Sequence, residues 1–315
     1  MPVVAPSPSI AVPPSRPAGL PPWRLWLMAV RPFSLTASAI PVLLGTVLAL
    51  PSHSFLPLPF LVALVGGVLL QIGTNLVNSY YDYRNGLDTP QNKGHIQPFL
   101  VLGWLPARSA LMGGYVAFAL AALGGFYLIA IRGWIIALLG VIGILGGYWY
   151  TAGPVNYKYR GLGVPLVFVL MGVLMTLGGY VVQTGRLSGS VLLASLPVAC
   201  LVAAILHGND LRDANDDRAS GVVSLTTWLG HRGAVALYDF LVAGAYATTL
   251  LNIVLGTLPA WTVVVAVTLP GAFHLIRRVH AGGELVIPVE PLTARLHLQF
   301  GLLLTAGTLV GVLLG

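Results

Sequence analysis

Long apolar runs fill most of this sequence, and they limit the kind of fold it can form. Nine runs are each close to the roughly 20 residues that a helix needs to cross a bilayer. They cover residues 33–50, 57–81, 109–131, 134–150, 163–183, 189–207, 233–256, 259–276 and 296–315. Within hydrocarbon a helix satisfies its own backbone hydrogen bonds, whereas an open sheet does not. The runs therefore predict an all-α fold, a polytopic bundle of about nine transmembrane helices in the lipid bilayer.

Composition agrees with a membrane protein and divides the chain into two parts. Hydrophobic residues make up 57% of the sequence and charged residues only 8%, against roughly 25% charged residues in soluble domains. Residues 1–22 carry eight prolines and no signal-peptide core, so they are predicted to be a disordered extension. Trp23, Arg24 and Trp26 are typical of an interfacial anchor. Residues 23–315 are predicted to form the membrane domain.

The basic residues predict the orientation of the bundle. Fourteen of the 16 lysines and arginines fall in the N-terminal segment or in every second loop, and only Arg132 and Arg186 lie on the opposite side. Because cytoplasmic loops are enriched in Lys and Arg, the N-terminus and these loops are expected to be cytoplasmic. The net charge of +7 is then explained by topology and an anionic lipid or substrate, and it gives no reason to expect nucleic acid.

An acidic stretch follows the sixth apolar run. Residues 209–221 read N-D-L-R-D-A-N-D-D-R-A-S-G and hold four of the nine acidic residues. If the helix continues, Asn209, Asp213 and Asp217 lie on one face, one turn apart. Oxygen ligands on one face suit Mg²⁺, which usually shares its coordination shell with water and substrate phosphates. The alternative is a solvated helix end without a bound ion.

A related element closes the second run. Asn78 and Asp82 are one turn apart, and each lies 131 residues before its counterpart, Asn209 or Asp213. This spacing predicts an internal repeat, with two four-helix halves that bring equivalent groups face to face, followed by a final helix. Asp88 lies beyond Gly86, in a loop that could fold back towards Asp82.

These segments resemble the UbiA family of intramembrane aromatic prenyltransferases, whose two aspartate-rich motifs have the forms N-x₃-D-x₃₋₅-D and D-x₃-D. The resemblance is closest to the branch that prenylates 1,4-dihydroxy-2-naphthoate in menaquinone biosynthesis. The chain departs from many relatives at Ser79 and Val222. The segments that carry the resemblance are Ala29–Gly45, Asn78–Asp88, Tyr150–Gly163 and Asn209–Arg218.

The resemblance implies a set of site residues. The expected Mg²⁺ ligands, which are also the expected catalytic residues, are Asp82, Asp88, Asp213 and Asp217. Expected contacts to substrate come from Asn78, Asn209, Lys158, Arg160, Arg212 and Tyr150. The cations would stabilise charge on the departing diphosphate, and the aromatic faces of Tyr150 and Tyr157 would steady an allylic cation. Alternatively, Lys158 and Arg160 serve only the charge bias, and the tyrosines form an interfacial belt.

The function expected from this resemblance is Mg²⁺-dependent transfer of a polyprenyl group from its diphosphate to an aromatic acceptor in a bacterial or archaeal cell membrane. The acceptor would be 1,4-dihydroxy-2-naphthoate, which loses CO₂, in a central cavity that opens laterally to lipid below a polar cytoplasmic cap. Other acceptors of the family are 4-hydroxybenzoate, homogentisate and chlorophyllide. The sequence alone also allows a cation-coupled transporter, although its acids lie at helix ends and not at mid-span. The glycine pairs Gly66-Gly67 and Gly178-Gly179 predict close helix contacts.

Overall fold

The computed structural model describes residues 21–52, 55–88, 99–219 and 221–314, and these ranges are almost entirely helical. The predicted N-terminal extension lies outside the described residues up to residue 20, and so does Lys93. The α-helices are α1 (Pro22–Val30), α2 (Thr36–Leu48), α3 (Pro57–Arg84), α4 (Ala107–Arg132), α5 (Trp134–Trp149), α6 (Gly163–Val167), α7 (Met175–Thr184), α8 (Gly189–Ala219), α9 (Leu225–Val254), α10 (Leu269–Ala281) and α11 (Val289–Leu314).

The predicted membrane bundle is confirmed. Within the described ranges, eight helical stretches are long and apolar enough to cross a bilayer, and α5 is a shorter apolar helix. One of the eight stretches joins α6 to α7 through a π-helical segment, Phe168–Leu174. Several helices are longer than hydropathy predicted, and the largest extensions are in α8, which continues to Ala219, α9, which begins at Leu225, and α11, which begins at Val289. Polar side chains end an apolar run, but they do not break the backbone hydrogen bonds of a helix.

Helix α8 is the centre of the molecule. Its residues from Val198 to Ala204 are all almost completely inaccessible, and it packs against α2, α9 and α11. Side chains on the outer helices are instead exposed where lipid would surround them, as at Phe126, Trp134 and Phe240. Large apolar side chains face outwards because hydrocarbon imposes no cost on them. The burial of α8 therefore fixes the position of the acidic stretch at its end.

Two glycines allow close helix contacts, one between α2 and α7 and one between the π-helical segment and α8. A Cβ atom on Gly45 would lie 2.0 Å from the carbonyl oxygen of Thr176, so α2 and α7 touch backbone to backbone. Gly172 in the π-helical segment makes a similar approach to Ala199 on α8, where an added Cβ would lie 2.3 Å from the Cα atom. Such approaches require glycine. They fix α7 and the π-helical segment beside a cavity that the other helices enclose.

Two loops complete the end of the bundle where the acids lie. After α3, Gly86 adopts a positive φ of 73°, and the amides of Leu87 and Asp88 donate to the carbonyl oxygen of Asp82 at 3.0 and 3.4 Å. The chain thus folds back towards Asp82, as the sequence suggested. The loop between α5 and α6 forms a β-bridge from Arg160 to Val223, beyond the end of α8. This loop spans the end of the bundle and carries Lys158 between the two halves.

Candidate active site

The two acidic motifs meet in one small polar cavity, here called the cap. Its volume is about 30 Å³. Five carboxylates and three basic side chains line it among the described residues, so its formal charge is negative. The lining residues are Arg31, Asn78, Asp82, Leu87, Asp88, Lys158, Asn209, Arg212, Asp213, Asp216 and Asp217. The predicted pairing of the two motifs across one site is thus what the geometry shows.

Asp82 is buried on the last turns of α3, and its carboxylate accepts three hydrogen bonds. The Asn78 amide donates to Oδ2 at 2.8 Å, one turn earlier on the same helix. The Lys158 ammonium donates to the same oxygen at 2.7 Å, and the Tyr159 hydroxyl donates to Oδ1 at 2.7 Å. An amide, a carboxylate and a cation therefore form one connected group at the first motif.

The second motif repeats this arrangement. The Asn209 amide donates to Oδ2 of Asp213 at 3.3 Å, and the Arg212 guanidinium grips both oxygens of Asp213, at 2.7 and 2.8 Å. Arg212 also donates to Oδ1 of Asn209 at 2.8 Å and bonds to Glu290 on the first turn of α11. Planar guanidinium groups suit such bidentate contacts. The repeat seen in the sequence is thus also a repeat of contacts, because a cation pairs with the aspartate of each motif, Lys158 with Asp82 and Arg212 with Asp213.

Lys158 is held charged by its surroundings. Burial lowers its pKa, but the charge and the hydrogen bond of Asp82 outweigh burial, so the pKa of this ammonium lies above its usual value. Its Nζ atom also lies 5.9 Å from the ring centroid of Tyr150 and 5.7 Å from that of Tyr159. Burial and the charge of Asp82 raise the pKa of the Tyr159 hydroxyl. Tyr159 therefore stays protonated and can act as a hydrogen-bond donor.

A second cavity of about 110 Å³ lies next to the cap and shares Arg31, Asn78 and Asn209 with it. Tyr150 and Tyr157 line this inner cavity, with their rings edge to face at a centroid distance of 5.4 Å. Tyr150 directly follows α5, and Tyr157 lies in the middle of the α5–α6 loop. The predicted aromatic surface is therefore next to the predicted diphosphate site, although Tyr150 does not line the cap itself.

A third, apolar cavity of about 250 Å³ continues from the inner cavity. The two share four lining residues, which are Leu70, Gly143, Leu170 and Met175. Its other walls come from α3, α4, α5 and α7, including Val62, Ala121, Leu139 and Val182. The three cavities therefore adjoin one another, each sharing lining residues with the next, in a row that is charged at one end and apolar at the other.

Arg160 is the predicted site residue that lines neither the cap nor the inner cavity. It is exposed, and its guanidinium donates to the carbonyl oxygen of Pro154 at 3.3 Å. Its predicted contact with substrate stays a prediction. Arg212 does line the cap, but most of its donors are already used by Asp213, Asn209 and Glu290.

The site also includes four residues that the sequence pattern did not predict, which are Glu290, Tyr159, Arg31 and Asp216. Glu290 is a buried acid beside an apolar helix, which is the signal that identified the acidic stretch. It went unnoticed because the last span was predicted to begin at 296, after this residue. Arg31 adopts the left-handed conformation, with φ of 55°, and a sequence does not reveal such a conformation in a residue other than glycine.

The donor set of the cap fits Mg²⁺. Carboxylate and amide oxygens are the hard ligands that this ion prefers, and it is usually bound by one or two carboxylates together with substrate phosphates. No three His, Cys, Asp or Glu side chains in the described ranges converge closely enough to hold an ion alone. A negative cavity would also repel a diphosphate that arrived without cations. The fit is therefore to an ion that shares its coordination with a phosphorylated substrate.

Comparison with known proteins identifies the family. The sequence profile of the UbiA prenyltransferase family matches residues 38–283. The chain belongs to this family. This UbiA family member is 34% identical over 289 residues to the 1,4-dihydroxy-2-naphthoate octaprenyltransferase of Bacillus subtilis (strain 168), covering 91% of the chain and 92% of that protein. It is 31% identical to the human UbiA prenyltransferase domain-containing protein 1, covering 90% of the chain and 83% of that protein. The chain is therefore a prenyltransferase, as the sequence predicted.

Solved UbiA structures share its fold. A UbiA homolog from Aeropyrum pernix K1 superposes with a TM-score of 0.65 and 20% identity, covering 87% of this chain and 97% of that one. A UbiA homolog from Archaeoglobus fulgidus, solved with GPP and Mg²⁺ bound, gives a TM-score of 0.57 and 16% identity, covering 90% and 99%. The UbiA fold accounts for the bundle of membrane helices described above.

Proposed function

We propose that this UbiA enzyme transfers a polyprenyl group from its diphosphate to 1,4-dihydroxy-2-naphthoate. The observation that carries the proposal is the path formed by the three adjoining cavities, which share lining residues from the charged cap to the apolar cavity. Such a path suits a substrate with a charged head and a long hydrocarbon tail. The extent of the similarity to the Bacillus subtilis octaprenyltransferase supports naphthoate as the acceptor.

The diphosphate would bind in the cap. Asp82, Asp88, Asp213 and Asp217 would hold Mg²⁺, with Asn78 and Asn209 as neutral ligands or hydrogen-bond donors. The chemistry that bound Mg²⁺ supplies is neutralisation of charge on the leaving diphosphate, and structures of a UbiA homolog with GPP and Mg²⁺ support this assignment. Lys158 would add a cation to the leaving group. Arg31, which lines the cap and the inner cavity, provides a charge for either the diphosphate or the acceptor carboxylate.

The reaction would take place in the inner cavity. The allylic C–O bond breaks, and its electrons leave with the diphosphate. The acceptor carbon that carries the carboxyl group forms a bond to the allylic carbon, facing the rings of Tyr150 and Tyr157, which stabilise positive charge. The carboxylate then leaves as CO₂, and the electrons of the broken C–C bond return to the ring. The buried walls of this cavity keep water away from the cation.

The acid positions and the charge distribution support the orientation proposed here, with the cap at the cytoplasmic face. Both motifs lie at the ends of α3 and α8, next to loops that carry the majority of the basic residues. Cytoplasmic loops have this bias. A water-soluble naphthoate and the diphosphate head would then reach the site from the cytoplasm, while the prenyl tail stays in the membrane.

An acceptor assay tests the proposal. The purified enzyme in detergent is given octaprenyl diphosphate, Mg²⁺ and, in turn, dihydroxynaphthoate, 4-hydroxybenzoate or homogentisate. We expect a prenylated product from naphthoate alone, with one CO₂ released per product, and no product in excess chelator. Product from hydroxybenzoate or homogentisate alone would reassign the acceptor, and undiminished turnover in chelator would contradict the Mg²⁺ assignment.

A further inference from the structure

The two motifs differ in how firmly each carboxylate holds its cation. Lys158 reaches Asp82 through one hydrogen bond, from a flexible side chain that is 17% exposed. Arg212 is 6% exposed and is fixed on three sides, by Asp213, Asn209 and Glu290. A lysine ammonium is a compact charge on a long stem, whereas a guanidinium in a bidentate contact is held rigidly. Lys158 is therefore the cation that can leave, and Arg212 is the one that stays.

The position of Lys158 also conflicts with a divalent ion at Asp82. Its ammonium lies 2.7 Å from Oδ2 of Asp82. A divalent ion bound to this oxygen would need the space that the ammonium occupies. Two cations on one carboxylate oxygen repel each other strongly in a buried site. Divalent binding at Asp82 thus requires that Lys158 move away. Five carboxylates line the cap, but no three acids among the described residues lie close enough together to hold an ion and offset this repulsion.

We infer that Lys158 is an exchangeable counter-ion of Asp82. Without substrate it neutralises this carboxylate and disfavours binding of a bare divalent ion. When the donor arrives with Mg²⁺, Lys158 transfers its hydrogen bond from Asp82 to the diphosphate, while Arg212 stays on Asp213 because Glu290 anchors it. The inference rests on the proposed function, and it assigns to Lys158 the coupling of metal binding to donor binding.

This role predicts opposite effects on two ligands when the Lys158 charge is removed. Without donor, Asp82 loses its competitor and binds a divalent ion more tightly. With donor, the diphosphate loses a charge-assisted contact and binds more weakly. A residue that only contacts phosphate would affect the donor alone, and a residue that only marks topology would affect neither ligand.

The test uses the full chain in detergent and Mn²⁺ as a paramagnetic substitute for Mg²⁺. Free Mn²⁺ is titrated by electron paramagnetic resonance, and donor binding is measured with farnesyl S-thiolodiphosphate, an analogue that ionises poorly. For Lys158→Gln we expect the affinity for Mn²⁺ alone to rise roughly tenfold and the affinity for the analogue to fall roughly tenfold, within the usual range of coupling between sites. Lys158→Met is the second variant if Lys158→Gln is not monodisperse.

Arg31→Gln is the matched control. Arg31 also lines the cap, but no ion pair to a carboxylate is found for it in the described residues. We expect this variant to bind the analogue more weakly and to gain much less affinity for Mn²⁺ alone than Lys158→Gln gains. An equal gain in both variants would show a general charge effect and would overturn the inference.

The remaining outcomes separate this inference from the proposed function. Unchanged or weaker binding of Mn²⁺ alone to both Lys158 variants would overturn the exchange, even if the wild-type enzyme is an active Mg²⁺-dependent prenyltransferase. A wild-type enzyme that binds Mn²⁺ equally well with and without the analogue would overturn it too. Failure of the wild-type enzyme to bind Mn²⁺ or the analogue at all would instead contradict the proposed function.

Discussion

Asp82 is the residue on which the first motif depends, since Asn78, Lys158 and Tyr159 all donate to its carboxylate. Asp82→Asn keeps the shape of the side chain and removes its charge. We expect turnover to fall roughly 10²–10³-fold, as when one preorganised electrostatic group is removed from an active site. The free energy of unfolding should also fall by about 1–3 kcal/mol, because Lys158 loses its buried partner. Turnover of labelled donor and thermal unfolding in detergent measure the two effects.

The double variant Asp82→Asn with Lys158→Gln is the control for this prediction. It removes both charges, so no unpaired ammonium remains buried, and the free energy of unfolding should recover most of its loss. Turnover should stay low. Recovery of turnover together with stability would mean that Asp82 acts only as a structural partner of Lys158, and the metal assignment at the first motif would be wrong.

The acids of the site and their partners within the same helix were predictable from the sequence, but their partners on other helices were not. The spacing of Asn78 from Asp82 and of Asn209 from Asp213 required only the period of one helix, and both contacts occur. Glu290 lies in a different helix, 78 residues from Arg212, and no pattern within one helix reports such a contact. The sequence therefore predicted which acids meet, but not that Arg212 is already held by three of its neighbours.

At the scale of elements, the seam between α2 and α7 depends on Gly45. Its added Cβ would lie 2.0 Å from the carbonyl oxygen of Thr176 and 2.9 Å from the amide nitrogen of Tyr180. These are backbone atoms, which cannot rotate away. We expect Gly45→Ala to lower the free energy of unfolding by about 1–3 kcal/mol, the usual cost of forcing atoms into a packed interior, and thermal unfolding of the detergent-solubilised protein measures it.

Gly66→Ala is the matched control, because an added Cβ at Gly66 meets nothing within 4 Å. Its unfolding temperature should stay near that of the wild-type protein. If both variants unfold at the same temperature, the contact between α2 and α7 does not limit stability.

The pairs Gly66-Gly67 and Gly178-Gly179 show that a sequence does not determine which face of a helix packs against its neighbour. Both pairs were expected to make helix contacts, and one member of each does. A Cβ added to Gly67 would lie 3.4 Å from the side chain of Val42, and one added to Gly179 would lie 2.6 Å from the carbonyl oxygen of Val42. A Cβ added to Gly66 would meet nothing within 4 Å, and one added to Gly178 would meet only Leu139, at 4.0 Å. The rotation of a helix about its axis decides which member packs. That rotation is set by tertiary neighbours, while the existence of each helix follows from its own hydropathy.

At the scale of the whole molecule, the three cavities form one path because α3, α5 and α7 leave space between them, and no single run of sequence reports such a space. The inner and apolar cavities adjoin at a junction where they share Leu70, Gly143, Leu170 and Met175. Gly143 lies in this junction with only Leu70 within 4 Å of an added Cβ, at 3.5 Å. Absence of a side chain at Gly143 thus keeps the path open.

Gly143→Phe should therefore change which donors the enzyme accepts. An aromatic ring at the junction would fill the path beyond the inner cavity, so a short geranyl tail would still fit and an octaprenyl tail would not. We expect kcat/KM for octaprenyl diphosphate to fall at least roughly tenfold relative to geranyl diphosphate, since a steric clash with a rigid ring costs more than the 1–3 kcal/mol of one misplaced methylene.

Leu138→Phe is the control, because Leu138 is on the same helix but 49% exposed and outside the path. An unchanged ratio of the two donors in Gly143→Phe would show that the prenyl chain leaves the site by another route, and an equal change in Leu138→Phe would point to a general disturbance of α5.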